Sequence, residues 1–393
     1  MMRPLDGINV VTLEHAIAAP FATRQLADLG ARVIKVERPK VGDFARSYDE
    51  TVHGLASHFV WVNRSKESLT LDLKHPCAKD VMARLIRDAD VFVQNLAPGA
   101  TDRLGLGAAE LRNLNPRLIV CNISGYGNSG PYRDKKAYDL LIQSEAGLLS
   151  VTGTKDTPSK AGISIADIAA GMYAYSGILS ALFRRERTGE GTTIDVSMLE
   201  ALGEWMGFPL YYSHYSGCSP QRTGAAHATI FPYGPFRSGD GAQVMLGLQN
   251  EREWAVFCDQ VLLRPELKSD PRFASNSKRV ANAEVLTTII HESFASLTAR
   301  QVIDRLEKTA IANACMNDME QLWNHRQLAE RNRWRDVPTS AGLIRALLPP
   351  ATDASFEARM DPVPALGEHT DQVLTRLGYS EDDIDRLRRE EAI

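Results

Sequence analysis

The first half of the chain alternates short apolar runs with longer stretches of helical period, and that alternation restricts the fold more than any other feature. Ile8–Leu13 (INVVTL), Arg32–Glu37 (RVIKVE), Asp90–Asn95 (DVFVQN) and Leu118–Ser124 (LIVCNIS) are strand-length runs. After the first, Pro20 is suited to open a helix as its first residue and Gly30 to close it, with Leu26 and Leu29 on one face. A second helix is expected around Cys77–Arg87. Strands separated by helices of about 10–15 residues predict βαβ units and a mostly parallel, Rossmann-like α/β sheet. Such sheets collect ligands at the carboxyl ends of their strands. Function is therefore sought in His15–Ala19, Glu37–Asp43, Asn95–Gly99 and Ser124–Gly130.

With 393 residues, 44% of them hydrophobic, the chain is long for one compact domain. The stretch Pro209–Gly241, rich in Gly, Ser, Pro and Tyr and without helical period, reads as a long linker. A strand (Gln243–Leu248) and a helix (Glu251–Leu262) follow it. The expected division is a large α/β domain at 1–208, a smaller α+β domain at 209–329, and a segment at 330–393 returning to the large domain. Two short helices are expected in Leu366–Ile393, with Ser380 and Asp383 forming a cap box.

The formal charge is -4 and the Lys and Arg residues are dispersed, which argues for a small-molecule partner and against nucleic acid. Five scattered cysteines without C-x-x-C suit a reducing compartment, and nine histidines without a close ligand pair give a metal no foothold. Met1–Asp6 lacks a charged region followed by an apolar one, and no run approaches the roughly 20 apolar residues of a membrane span. No membrane partner and a cytoplasmic location are expected.

Three motifs have two readings each. Gly125-Tyr126-Gly127-Asn128-Ser129-Gly130 fits G-x-G-x-x-G, but Pro131 follows at once and the context reads as a loop, so a nucleotide redox cofactor is not expected. Arg38, Lys74, Arg103 and Lys136 are either solvated surface or a cradle for a phosphate-bearing cofactor at the sheet's ligand edge. Asp167 precedes an apolar stripe, Ile168, Met172, Tyr175, Leu179 and Leu182. It is either the N-cap of that helix or a carboxylate nucleophile at the helix start.

Taken together, these segments resemble the class III CoA-transferase family, which includes formyl-CoA, carnitine and dicarboxylate CoA-transferases and the α-methylacyl-CoA racemases. The likeness runs over nearly the whole chain. It includes Pro4–Val10, Leu29–Glu37, Asn63-Arg64-Ser65-Lys66, Leu71–Lys74, Asn95–Gly105, Leu366–Thr370 and Leu377–Ser380.

The resemblance implies Asp167 as the catalytic aspartate and coenzyme A, as acyl-CoA, for the co-substrate. It implies that CoA is held by Arg38, Leu71, Asp72, Leu73, Lys74, Asn95, Leu96, Ala97, Arg103, Lys135, Lys136, Ala137 and Tyr138, with Ile17 and Ala18 beside the thioester. It also implies an intertwined homodimer. Ile17 stands where the formyl branch has Gln, and the segments Arg222–Ile230 and Gly247–Asn250 look closer to the dicarboxylate-using branch. Arg46, Arg222 and His227 are candidates for the acceptor's distal carboxylate, and Gly247 for an oxyanion-binding loop. Where the racemase branch carries His-Asp this chain has Tyr138-Asp139, and an unperturbed phenol is a poor proton acceptor at neutral pH. The expected reaction is transfer of CoA from an acyl-CoA such as succinyl-CoA to a small dicarboxylate. Racemase is the alternative, and a non-catalytic CoA-binding protein, which would not need Asp167, a further one.

Overall fold

A computed structural model describes residues 2–351 and 353–393. Met1 and Thr352, which fall within the expected first and last segments, lie outside the described residues. The chain divides into two units. The first comprises the chain up to Ala146, Ala161–Gly207 and Leu328–Ile393, and the second Gly147–Lys160 and Phe208–Gln327. The short Gly147–Lys160 piece, placed in the large domain by the sequence reading, therefore goes with the second unit.

The first unit is built on a six-stranded sheet. Its strands are β1 (Asn9–Leu13), β2 (Arg32–Glu37), β3 (Lys66–Thr70), β4 (Val91–Gln94), β5 (Ile119–Ser124) and β6 (Thr192–Ser197). They lie in the order β3-β2-β1-β4-β5-β6, and every pair is parallel. The order reverses between β1 and β4, the switch point where an open parallel sheet leaves a crevice. Helices along the chain as far as Thr188 are α1 (Ala18–Asp28), α2 (Ser57–Val62), α3 (Ala78–Arg87), α4 (Ala100–Arg103), α5 (Ala108–Leu114), α6 (Asp139–Glu145), α7 (Leu148–Val151), which belongs to the second unit, and α8 (Ile165–Thr188). Pro20 is the third residue of α1 rather than the first. Gly30 follows the helix at φ 112°, where an added Cβ would lie 2.5 Å from Oδ1 of Asp6.

Alternate residues of the inner strands feed two cores, as the period of a strand requires. Val10, Val33, Val91 and Ile119 pack with α1 and α8 on one face. Val11, Ile34, Phe92 and Val120 pack on the other with α3, α5 and the C-terminal helices Thr370–Arg376 and Glu381–Arg389. The last of these opens with the expected Ser380/Asp383 capping box.

The contact between α1 and α8 is made of small residues: Ala18, Ala19 and Ala22 against Ala166, Ala169, Ala170 and Ala174. Gly171 completes it, since a Cβ there would sit 2.7 Å from the carbonyl oxygen of Ala18. Among the described residues α8 is the one helix that by length and composition is apolar enough to cross a bilayer, although Asp167, Ser176 and Ser180 interrupt its apolar run. Its alanine face is buried in the core.

In the second unit, β7 (Tyr233–Arg237), β8 (Gln243–Gly247) and β9 (Ala312–Cys315) form an antiparallel sheet. It shares a core with Phe257, Phe273, Leu286, Ile290, Phe294 and Val302. The expected helix at Glu251–Leu262 is α-helical only to Val256 and continues as a π-turn, Phe257–Val261. The stretch expected as linker, Pro209–Gly241, holds β7 and overlaps a helix, Gly207–Ser216, that exposes Phe208, Leu210, Tyr211, Tyr212 and Tyr215.

Candidate active site

The cations expected to hold a phosphate-bearing ligand stand at the carboxyl ends of the strands. Arg38 follows β2, Leu71–Lys74 follows β3, and Asn95–Ala97 with Arg103 follows β4. Arg38, Lys74 and Lys136 are exposed, and their charged groups make no hydrogen bond or ion pair among the described residues. Among the described residues Arg103 reaches only the carbonyl of Pro98, at 3.5 Å. Lys135 differs: its ammonium is paired with Glu145 and lies over the Tyr132 and Tyr126 rings at 4.3 and 5.0 Å. Three uncommitted cations and a fourth nearly so stand at this edge, an arrangement that suits a polyphosphate.

Leu71, Leu73 and Leu96 pack into the core, so their contribution toward a ligand is backbone and shape. The Asp72 carboxylate accepts the Lys74 N–H at 3.0 Å and holds that turn. The loop after β5 returns to its own strand: an added Cβ on Gly125 would lie 2.2 Å from Ala137 Cβ. The first glycine of the G-x-G-x-x-G run thus accommodates Ala137, and the segment is a loop without a helix behind it.

The loop after β1 is held at both ends. Oδ1 of Asn95 accepts the His15 N–H and its Nδ2 donates to the His15 carbonyl, both at 2.9 Å, so one side chain bridges the two loops of the switch point. Ala16, in the left-handed region at φ 59°, donates its N–H to Oδ1 of Asp43 at 3.1 Å. Asp43 in turn anchors a buried ionic network. Lys35 Nζ lies 2.7 Å from Asp43 and 3.4 Å from Glu14, and Lys66 Nζ lies 2.6 Å from Glu14 and 3.1 Å from Asn63. All of these side chains are buried.

Burial alone would raise the carboxyl pKa of Glu14 and Asp43, but the ammonium groups outweigh it and hold both below the usual range. Ile17 and Ala18, expected beside the thioester, follow this loop directly and are buried.

Asp167 is the third residue of α8, and Ser164 occupies the N-cap position. The cap reading of Asp167 is therefore corrected, because its side chain makes no capping bond. Its carboxylate has no hydrogen bond or ion pair among the described residues. It is part-buried, and burial followed by the neighbouring Asp139 charge pushes its pKa up to about 7. The exposed ring of Tyr48 is within electrostatic reach: burial, Asp43, Asp167 and Tyr138 together raise its hydroxyl to about 12. Tyr138 is 67% exposed, at the start of α6. The structure thus gathers Asp167, Tyr48 and Tyr138, while Gly171, one turn along from Asp167, abuts Ala18.

The remaining candidates fare unevenly. Arg46, expected to meet a distal carboxylate, is instead paired through two hydrogen bonds of 2.8 Å with Glu37 and stacked 3.8 Å over Phe59. Arg222 donates to the carbonyls of Thr154 and Lys155, both at 2.9 Å, and makes no ion pair among the described residues. His227 Nδ1 accepts from the Thr229 N–H at 3.2 Å, which puts the neutral ring's proton on Nε2. Gly247 is a strand residue paired with Tyr233 and Ala312, with the Tyr233 ring 2.9 Å from where its Cβ would be. That is a packing role, not an oxyanion loop.

The residues missed at first, Glu14, Lys35, Asp43 and Lys66, had one readable signal. For Glu14 and Lys35 it is their place at the end of and within inner strands, since a charge in a strand covered on both faces requires a buried partner; Asp43 and Lys66, in a turn and an edge strand, supply those partners.

The sequence profile of CoA-transferase family III matches residues 5–370. The chain is 33% identical over 392 residues to the succinyl-CoA:glutarate CoA-transferase of Mus musculus, spanning 98% of this chain and 89% of that one. It is 37% identical over 331 residues to the acetyl-CoA:oxalate CoA-transferase of Acetobacter aceti, spanning 84% and 85%. A solved structure of a CAIB/BAIF family protein from Brucella suis matches with a TM-score of 0.85 at 32% identity, over 96% of this chain and all of that one. A parallel sheet with its cations at the ligand edge, an unpaired carboxylate in the first turn of α8 and a profile match over most of the sequence lead to one conclusion: this chain belongs to CoA-transferase family III and is a CoA-transferase.

Proposed function

We propose that the enzyme moves CoA from an acyl-CoA to a small dicarboxylate through covalent intermediates on Asp167. The observation that carries this reading is the Asp167 carboxylate, drawn partly out of water at a helix start and left without a cation or donor. A carboxylate of purely structural use would be paired; an unpaired one is available as a nucleophile.

In the ionised form it attacks the thioester carbonyl, and the C–S bond breaks to give a mixed anhydride and the CoA thiolate. The thiolate then attacks the aspartyl carbonyl and expels the donor acid as its carboxylate, leaving an aspartyl-CoA thioester. An acceptor carboxylate attacks that thioester to form a second anhydride and regenerate the thiolate. Attack of the thiolate on the acceptor's acyl carbon yields the new acyl-CoA and frees Asp167. The cations Arg38, Lys74, Arg103 and Lys136 hold the cofactor's phosphates, so the thiolate is released and recaptured in place.

Support for a dicarboxylate acceptor comes from the two relatives, whose names specify glutarate and oxalate. Succinyl-CoA offered with glutarate, succinate, oxalate and butyrate tests this reading. Transfer to the diacids is expected to exceed transfer to butyrate. Equal use of butyrate would overturn the diacid assignment. Hydroxylamine should modify Asp167 only after acyl-CoA is added. A homodimer is proposed as well, supported by the uncovered aromatic face of Gly207–Ser216; a monomeric mass by light scattering would refute it.

A further inference from the structure

The helix that carries Asp167 is not capped by its own N-cap residue. Ser164 makes no side-chain capping bond, and the task falls to Asp139, on a different helix. Oδ1 of Asp139 accepts the N–H of Ala166 at 2.8 Å and that of Asp167 itself at 3.2 Å. Oδ2 is held at 2.6 Å by Nε2 of Gln143, one turn along α6. Gln143 is fully buried, and its Oε1 accepts the Ala161 N–H at 2.9 Å, tying down the segment that leads into α8. The capping carboxylate is thus itself fixed in orientation.

The choice of an acid here has a chemical consequence. A helix start carries partial positive charge, which favours an ionised carboxylate in its first turn and makes that carboxylate a weaker nucleophile. A neutral cap, such as Ser or Asn, would leave this effect in place. An anionic cap bonded to the N–H of Asp167 offsets it and adds like-charge repulsion. We propose that Asp139 is a positioning residue for CoA transfer, fixing the first turn of α8 and using its charge to keep Asp167 nucleophilic. This rests on Asp167 being the nucleophile.

The other groups around Asp167 do not duplicate the effect. Tyr48 stays protonated well past neutral pH because burial, Asp43 and Asp167 oppose its ionisation. Tyr138 is a phenol beside Asp139, and Asp43 is already neutralised by Lys35. On α1, Arg24 and Asp28 are paired with each other at 2.8 Å in the helix's second half. The raised pKa of Asp167, in which Asp139 is the only charge acting besides burial, agrees with this geometry.

The test is Asp139→Asn, which keeps an acceptor oxygen for the two N–H groups but removes the charge, compared with Asp139→Glu and Asp139→Ser. The pH profile of kcat/KM for CoA transfer is the main readout, with its acidic limb treated as a property of the Asp139–Asp167 pair. In Asp139→Asn the limb is expected to move down by about one pH unit. The plateau should fall about threefold, as nucleophilicity falls with basicity. Asp139→Glu should recover most of both, and Asp139→Ser should follow Asn, which keeps the test intact if either variant folds poorly.

A limb that stays in place in both neutral variants, whatever happens to the rate, would overturn the charge role and leave only a structural cap. Asp167→Asn, assayed alongside, separates the two ideas. If it retains turnover, the nucleophile assignment fails; if it is inactive while the Asp139 variants leave the limb unmoved, only the present inference fails.

Discussion

A carboxyl group whose pKa rises from 3.8 to about 7 on folding binds more protons in the folded state than in the unfolded one throughout that interval. Stability therefore falls as pH rises from about 4 to 7, and Asp167 opposes folding at neutral pH. Asp167→Asn is expected to abolish transfer and to stabilise the fold by about 1–2 kcal/mol at pH 8, a value reduced for the group's remaining solvent access. Melting curves of variant and wild type should converge near pH 4; a variant less stable at pH 8 would contradict this. At the ligand edge, Arg38→Ala and Arg103→Ala should raise KM for acyl-CoA about tenfold each, with a smaller loss of kcat, and the penalty should shrink at high salt. Unchanged KM in both would remove them from the site. Asp167 was legible in the sequence as either cap or nucleophile. Asp139 as its cap was not, because the partner lies on another helix and capping rules read only neighbours.

Among elements, the strands recognised from sequence are the four in the middle of the sheet. The two missed, β3 (KESLT) and β6 (TTIDVS), are its edges. Inner strands of a parallel sheet are covered on both faces and read as apolar runs, whereas edge strands carry polar residues that hide the pattern. The helix Gly207–Ser216 was missed for a related reason, since none of its residues is buried and it has no apolar stripe facing a core. The α1–α8 contact depends on Gly171, whose Cβ would meet the Ala18 carbonyl at 2.7 Å and the Phe21 ring at 3.0 Å. Gly171→Val should force the helices apart, costing about 1–3 kcal/mol, and should lower kcat by shifting Asp167 relative to Ile17 and Ala18. A variant with wild-type melting temperature and turnover would show that the contact has slack.

At the scale of the molecule, the parallel α/β class and the ligand edge were readable because periodicity and chain order determine them. The membership of Gly147–Lys160 in the second unit was not, since it depends on contacts such as the Gly224 N–H to the Gly153 carbonyl at 2.8 Å. Nor was the ionic network under the first loop, whose members come from three strands and the turn after β2. That network has a consequence for motion. The amide hydrogens of His15 and Ala16 point at Asn95 and Asp43, and Asp43 is locked by Lys35, both side chains being fully buried. Each amide is tied to a group that is itself fixed, Ala16 to a buried carboxylate paired with Lys35 and His15 to the Asn95 side chain that also binds the His15 carbonyl, so freeing either one breaks the bridge between the loops. Deuterium uptake at these two positions should be as slow as the rate at which the whole unit unfolds, although they sit in a loop, while the exposed turn Gly130–Asp134 exchanges within seconds. Fast uptake at His15 and Ala16 would mean that the loop breathes by itself, and that the ligand crevice is shaped on binding and not beforehand.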